Sequence, residues 1–438
     1  MTGTIRCLPK AHWIRNKNIL LPNIRYPSEV YRGWFVLAGL MVIYAVANGI
    51  VVNSLPLFYP SLIDEFGWNT VEVTIPATAF FIVNAFSAPL AGILIDFYSP
   101  RRLILLGIIG LSIGLTLFSL ISELWHLTAA YILLGISLAF CSLVACMVIL
   151  TRWFRRRRGR ATGLLLMAAS LGGALFPLII GAGLESYGWR GTLILLTGIT
   201  VILAIVSIIF LILDRPEGTH ATIFDTYEQD KATKSVAILG GPTLREAICQ
   251  SKFYLITVAT GALWFVIVGL VQHQTIYLAK DIGFDPNALP MLLSILFMFS
   301  VAGKVFFGWL GDHIDVSITL ILSVVVFIVG VLIIRNIRAD DNVMLFAYAA
   351  ICGTGFSGAF TSIQLLIARY FVGPSYGKIL ATITVVDSLA GALGTRIIAD
   401  VRESTESYQP AFDMMIAVCS IGILCIGLNK YLQTPKSP

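Results

Sequence analysis

Residues 92–102 read GILIDFYSPRR and close a long apolar run with a glycine, a carboxylate and two arginines. A near copy, GWLGD, occupies residues 308–312, which lie 216 positions later. Each copy falls between two hydrophobic stretches. A turn duplicated at a fixed offset is typical of an internal structural repeat, so the pair predicts a chain of two similar halves.

The composition indicates an integral membrane protein. Hydrophobic residues make up 57% of the chain, charged residues only 12%, and the mean hydropathy is +0.87, whereas soluble domains carry about 25% charged residues. We predict an all-α membrane protein with 12 transmembrane helices in two six-helix pseudo-symmetric bundles, because the chain holds twelve stretches near the ~20 residues that a bilayer crossing needs. The predicted spans are 34–59, 73–95, 103–122, 127–150, 161–184, 191–213, 253–279, 288–310, 316–335, 343–367, 378–399 and 411–430.

The distribution of positive charge predicts the orientation. Of the 30 Lys and Arg residues, 23 fall in the two ends and the even-numbered loops, and 6 in the odd-numbered loops. By the positive-inside rule, both termini are expected in the cytoplasm of a multi-pass plasma (inner) membrane protein. We predict a cytoplasmic tail at 1–33, a first bundle at 34–213, a cytoplasmic linker with an interfacial helix at 214–252, a second bundle at 253–430 and a cytoplasmic end at 431–438.

Other classes of function are disfavoured. The net charge of +6 comes from residues that set topology, so nucleic acid is not an expected partner. The arginine run at 155–160 is better suited to anionic membrane lipid. The seven cysteines form no CxxC, and the chain has no HExxH, GxSxG or Walker sequence. We therefore expect no enzyme, no metal and no cofactor, and a transport process driven by gradients rather than ATP.

The loop after the second span carries a family resemblance. Gly92, Leu94, Asp96 and Arg101 match the loop pattern GxLxDRxGRR, and the chain resembles the major facilitator superfamily over nearly its whole length. Within that superfamily it is similar to the monocarboxylate and oxalate/formate-type permeases. That similarity is carried by EFGW at 65–68, RWF at 152–154 with RRGRATG at 157–163, YGWRG at 187–191, and LREA at 244–247.

The resemblance implies a conformational latch at the duplicated loop, where a carboxylate meets arginines or the positive end of a helix. The predicted latch residues are Gly92, Asp96, Arg101, Gly308 and Asp312. Phe97 and Ser99 stand where the family pattern has arginine and glycine. A solvated loop carboxylate is the alternative for Asp96.

Lys304 is the one Lys or Arg well inside a predicted span. A cation at that depth costs about 2.5–3.5 kcal/mol on insertion scales, so a functional role is the default hypothesis. Snorkelling to the nearby interface is the alternative. The resemblance implies that this position binds a substrate carboxylate, with lysine in place of the family's arginine; the charge is kept and the bidentate fork is lost.

Other polar residues inside the spans complete the predicted site. Asp387 lies near the middle of the eleventh span and suits proton coupling, with an ion pair to Lys304 as the alternative or as part of the same mechanism. His273 matches a histidine of these permeases and is predicted to bind substrate or relay a proton, while a buried hydrogen-bonded histidine is the alternative. The remaining predicted substrate ligands, each with interhelical hydrogen bonding as its alternative, are Tyr44, Asn48 and Gln364.

Together these features predict a secondary active transporter that works as a monomer by alternating access. The expected substrate is a small organic anion such as a monocarboxylate, moved with a proton or against a counter-substrate. One alternative is an exporter of amphipathic compounds or drugs. Another is a sensor that binds its ligand without transporting it.

Overall fold

The computed structural model describes residues 32–141, 143–154, 158–214, 242–339, 341–371 and 376–433. The predicted N-terminal tail and most of the predicted linker lie outside this part of the chain. In the first half the α-helices are Gly33–Asn48, Tyr59–Phe66, Thr70–Phe97, Pro100–Ser119, Leu124–Cys141, Leu143–Trp153 and Arg158–Val206. After the linker they are Leu244–Ile248, Ser251–Ile276, Leu289–His313, Val316–Arg335, Asn342–Tyr370, Tyr376–Thr405 and Gln409–Gln433.

Eleven helical stretches of the described chain are long and apolar enough to cross a membrane. One of them, Gly159–Leu211, has 53 residues and is divided at Gly188, whose φ of 65° and ψ of −179° interrupt the helix. It therefore supplies spans five and six, and the described part of the chain makes twelve passes. The predicted fold class is confirmed. The other spans are Gly33–Phe66, Thr70–Ile95, Pro100–Ser119, Leu124–Trp153, Ser251–Ile282, Pro286–His313, Val316–Arg335, Asn342–Tyr370, Gly377–Thr405 and Gln409–Leu432.

Local sequence explains where the spans begin. Asn69 accepts a hydrogen bond from the Glu72 backbone N–H, and the Glu72 carboxylate accepts one from the Asn69 N–H. Asp341 caps span ten in the same way by accepting from the Met344 N–H. Such caps satisfy backbone donors that have no partner within the helix. Inside the apolar stretches the helical ladder does this, because hydrocarbon offers backbone groups no partner.

Span one is longer than predicted. The sequence suggested an end near residue 59, but a helix continues from Tyr59 to Phe66. It stops at Gly67, which adopts the left-handed conformation with a φ of 69°. A polar final turn after the apolar run therefore extends the helix beyond the length that hydropathy alone predicts.

The two halves meet along two pairs of helices. Span two packs against span eleven, and span five packs against span eight. Because the chain makes an even number of passes, both described ends lie on one side, which we call the terminal face. The other side is the opposite face.

Hydrogen bonds and ion pairs join the halves at several depths. At the opposite face, Lys280 forms an ion pair with Asp64, and the Thr275 hydroxyl donates to the Pro56 carbonyl at 2.8 Å. Deeper in the bundle, the Lys304 ammonium donates to the Leu166 carbonyl at 2.8 Å. The halves are thus joined directly at the opposite face.

Candidate substrate site

A cavity of about 120 Å³ lies between the two halves. A single water needs roughly 10–15 Å³ of such space, so several waters or one small molecule would fit. Its polar lining residues are Tyr44, Asn48, Asn53, Ser170, Gln272 and Lys304, and its aromatic ones are Phe81, Trp264, Phe297, Phe356 and Phe360. This combination of apolar walls with a few polar groups is typical of small-molecule sites.

Lys304 reaches the cavity from span eight. Its ammonium donates to the Leu166 carbonyl at 2.8 Å and lies 5.2 Å from the centre of the Phe360 ring. It forms no ion pair with any described carboxylate. A neutral carbonyl and an aromatic face stabilise a cation without cancelling its charge. The protonated Lys304 amine therefore has no anionic partner among the described residues and can attract an anion.

Asp387 lies outside the cavity lining. Its side chain is 5% exposed, and one carboxylate oxygen accepts a hydrogen bond from the Thr260 hydroxyl at 2.7 Å. No ion pair joins it to Lys304, so the alternative of a Lys304–Asp387 pair is not the arrangement found. Asp387 is a buried carboxyl held by one neutral donor.

His273 is 2% exposed and has both ring nitrogens engaged. Nε2 lies 2.9 Å from the Thr395 carbonyl, which only accepts, so Nε2 carries the proton. Nδ1 then accepts from the Tyr408 hydroxyl at 2.9 Å. His273 is not among the cavity-lining residues. These contacts favour the alternative of a structural histidine over a substrate ligand.

Comparison with known proteins identifies the family. The sequence pattern described as Major Facilitator Superfamily matches residues 38–395 and 253–437. The chain belongs to this superfamily. Similar proteins include monocarboxylate transporter 13 of Rattus norvegicus, 26% identical over 88% of this chain and 86% of the relative. Monocarboxylate transporter 11 of Homo sapiens is 25% identical over 99% of this chain and 88% of the relative.

A solved structure supports the same fold. It is a bacterial homologue of the human lysosomal transporter Spinster in an inward-facing and occupied conformation, with a TM-score of 0.71 and 15% identity. The match covers 92% of this chain and 98% of that protein. The relatives are transporters of the superfamily and not enzymes, in agreement with the sequence prediction.

The structure separates the remaining predicted substrate ligands. Tyr44 and Asn48 line the cavity, and the Asn48 amide donates to the Tyr44 carbonyl at 3.1 Å. Gln364 is half-buried on span ten and is not a lining residue. Sequence reasoning missed Gln272 and Ser170, which both line the cavity.

Helical periodicity offered a signal for Gln272. On span seven the lining residues follow one helix face, at positions 264, 267, 268, 271 and 272. A polar residue that continues such a face points the same way as its neighbours. The ionisable side chain of the adjacent His273 is a stronger sequence signal for function than the neutral amide of Gln272.

The superfamily loop in the first half is tied to the end of span six. The Arg101 guanidinium donates to the Ile208 carbonyl at 2.6 Å. Asp214 accepts from the Arg101 backbone N–H at 3.1 Å and from the Ser99 hydroxyl. These bonds connect the start of span three to the end of span six within one half.

The second half has a cluster of charged residues at the corresponding place, the start of span nine. Asp315 caps span nine and lies 3.6 Å from the Lys430 ammonium and 3.7 Å from the Arg369 guanidinium. Burial raises the pKa of Asp315, but Lys430, the backbone N–H groups of Ser317 and Ile318, and Arg369 lower it more. The net effect is a pKa below the usual value. The charges that hold this end together therefore favour the ionised carboxylate.

The other predicted latch residues take little part in these clusters. Asp312 is exposed and has no hydrogen bond or ion pair to a described residue. A Cβ at Gly92 would meet nothing within 4 Å, and one at Gly308 only the Thr361 methyl at 3.9 Å. The Asp96 side chain is outside the described part of the structure. A latch between conformations at this loop stays a prediction.

Proposed function

We propose that the chain is a secondary active transporter that moves a small organic anion, of the monocarboxylate class, by alternating access. The observation that carries this proposal is the Lys304 ammonium in the lining of the cavity between the halves. Among the described residues, its partners are only a carbonyl and an aromatic ring. A carboxylate is the simplest ligand to neutralise it. The names of the relatives support this substrate class.

Alternating access is supported by the contacts that join the halves at the opposite face. With the termini in the cytoplasm, this joined face is the outer side of a plasma (inner) membrane. The conformation then presents its site toward the cytoplasm, and breaking contacts such as Lys280–Asp64 would open the outer side. One chain contains both halves, so a monomer is sufficient. Anionic lipid is the proposed partner of the cytoplasmic arginines.

Proton coupling is assigned to Asp387. Its carboxyl is buried, has no cationic partner among the described residues, and accepts only the Thr260 hydroxyl bond. A carboxyl in such surroundings is a proton-binding group that pairs naturally with movement of an anion. Exchange against a second anion is the other possible driving process, and it would not need Asp387 to titrate.

The test measures carboxylate uptake by proteoliposomes that contain Lys304→Ala or Lys304→Arg. Losing a charge-assisted bond should reduce uptake by Lys304→Ala about 10- to 100-fold, and Lys304→Arg should keep most of it. Ser294→Ala is the matched control, since Ser294 is on the same helix, outside the cavity lining, and without a hydrogen-bond partner among the described residues. Undiminished carboxylate uptake by well-expressed Lys304→Ala would refute the anion site.

The aromatic cavity lining favours a second candidate, an exporter of amphipathic compounds. The same liposomes distinguish it, because export of neutral amphipathic compounds would not depend on Lys304. Ligand-dependent flux of either kind would exclude a sensor that binds without transport.

A further inference from the structure

Residues 272–274 of span seven, Gln-His-Gln, each form a hydrogen bond with a tyrosine hydroxyl on a different part of the bundle. The three partners are Tyr59 of span one, Tyr408 beside the start of span twelve and Tyr348 of span ten. Of the three residues on span seven, only Gln272 lines the cavity, and only its bond crosses between the halves. Gln272 has no part in the proposed binding of the carboxylate at Lys304.

The orientation of the Gln272 amide is fixed. Its Oε1 accepts from the Tyr59 hydroxyl at 2.8 Å. The Tyr131 hydroxyl lies 3.5 Å from the Tyr59 oxygen and donates to it, so the Tyr59 proton is directed to Gln272. With the amide oxygen held by Tyr59, the amide nitrogen is on the other side of the group.

That nitrogen has no acceptor among the described residues, although Gln272 is only 3% exposed. The nitrogen itself is not fully buried, so it is open to the cavity, where a donor removed from bulk water needs an acceptor. Since the side chain lines the cavity, the missing acceptor belongs to whatever fills the cavity. The site thus has a second polar group besides Lys304, and this group is a neutral donor.

The two groups lie at different depths. Counted along spans seven and eight, Gln272 is roughly two to three helical turns nearer to the opposite face than Lys304. The rings of Trp264, Phe297 and Phe356 line the cavity at intermediate depth. A ligand that touches both polar groups therefore carries its second acceptor several bonds from its carboxylate, with an apolar part between them.

We propose that Gln272 is a specificity-determining residue that donates a hydrogen bond to an uncharged oxygen, such as a hydroxyl or carbonyl, at the end of the substrate remote from its carboxylate. This rests on the proposed binding of a carboxylate at Lys304. It narrows the substrate class to elongated monocarboxylates with a distal oxygen. Tyr59 is a positioning residue, because it holds the amide in the orientation that exposes the N–H.

The experiment measures binding of two probes, octanoate and 8-hydroxyoctanoate, to the full-length protein in detergent. The quantity compared is the ratio of their affinities. One neutral hydrogen bond corresponds to a change of about 2- to 10-fold. Gln272→Met keeps the length of the side chain but removes the N–H donor. This variant should bind 8-hydroxyoctanoate about 2- to 10-fold more weakly relative to octanoate, while its affinity for octanoate stays within about 2-fold of the natural protein's. Gln274→Met is the matched control, since Gln274 is outside the cavity lining, and it should leave the ratio unchanged.

Two further outcomes are decisive. In Tyr59→Phe, the ratio of the two affinities should shift by a smaller factor, because the Gln272 amide is still present but is no longer oriented by the Tyr59 hydroxyl. An unchanged ratio in Gln272→Met, or an equal loss of both probes, would overturn the proposal, the second result indicating a purely structural role.

An error in the proposed carboxylate site would give a different result from an error in the proposed role of Gln272. If Lys304→Ala bound both probes as the natural protein does, the carboxylate site would be wrong. The Gln272 donor would then be tested with octanol and 1,8-octanediol, two neutral probes without a carboxylate. A ratio for this pair that Gln272→Met does not change would overturn the distal site as well.

Discussion

The two halves share a framework but not their chemistry. Aligning the two copies of the loop places Ala88 where the second half has Lys304. Aligning SLGGAL at 170–175 with SLAGAL at 388–393 places Ala169 where the second half has Asp387. In the first half the Ala169 carbonyl accepts from the Asn53 amide at 3.2 Å, so neutral groups line that wall of the cavity. Ionisable groups therefore belong to one half, and the duplicated helices supply the frame around them.

Packing, in contrast, is duplicated. A Cβ at Gly135 would lie 2.7 Å from the Phe80 carbonyl oxygen, which joins spans four and two. A Cβ at Gly353, the equivalent glycine, would lie 2.1 Å from the Leu296 carbonyl oxygen, which joins spans ten and eight. Small residues permit such close approach of helices in membranes. The comparison indicates that close helix packing is shared by both halves, whereas the charged residues of the proposed site are in the second.

Among the variants that test this comparison between the halves, Asp387→Asn is expected to have the largest effect. In Asp387→Asn, stimulation of uptake by an imposed proton gradient should fall about 5-fold or more, the usual scale of coupling between two ligands. Exchange without a gradient should persist. The check is uptake by proteoliposomes with and without a pH difference, with Thr260→Val as a control that removes only the hydrogen bond. Equal gradient stimulation in Asp387→Asn and in the natural protein would assign coupling elsewhere.

Substitution of Gly135 and Gly353 tests whether both halves depend on the same close helix packing. Gly353→Ala should lower the free energy of unfolding by about 1–3 kcal/mol through overpacking, and Gly135→Ala by a smaller amount because its contact is less close. Thermal unfolding in detergent measures both. Gly198→Ala, where a Cβ meets nothing within 4 Å, is the control and should be close to neutral. A fully tolerated Gly353→Ala would show that span ten can move away from span eight at little cost.

A smaller effect is expected where the halves touch. Lys280→Ala removes the ion pair with Asp64, and exposed pairs contribute about 0.2–1 kcal/mol. Opening at the opposite face should rise by up to roughly 5-fold. Labelling of Val52→Cys, at the cavity, by a membrane-impermeant maleimide added from that face reports it. Arg335→Ala, which breaks an ion pair with Asp413 inside one half, should leave labelling unchanged.

The smallest effect concerns acid stability. Because the pKa of Asp315 is lowered in the folded protein, its contribution is present above the ordinary carboxyl pKa near 4 and is lost as the pH falls through the lowered value. Ser99, the equivalent cap position of the first half, cannot contribute in this way. The fall in Tm between pH 6 and pH 3 should therefore be slightly smaller in Asp315→Asn. Asp312→Asn, at an exposed carboxylate without partners, should match the natural protein, and identical falls in all three would remove Asp315 as a source of acid sensitivity.

The sequence alone was sufficient to predict the number and arrangement of the membrane spans. The loop repeat and the apolar lengths predicted two halves of six spans, because both features are local and a bilayer allows few alternatives. Lys304 was visible for the same reason, since a lone cation in an apolar run has a large energetic cost. What was not predictable is the direction of neutral polar groups. Gln272 depends on Tyr59, 213 positions away, and His273 on a carbonyl of another span.

Gly188 limits how the chain can be altered. The sequence suggested a loop of several residues between spans five and six, yet one glycine with a φ of 65° reverses the chain between two continuous helices. Spans five and six thus share a rigid joint without spare length. One added residue would rotate the rest of span six by about 100° around its axis and turn a membrane-facing stripe into the bundle. We expect insertions here to be the least tolerated of any between two spans, and a tag or reporter domain to be better placed elsewhere.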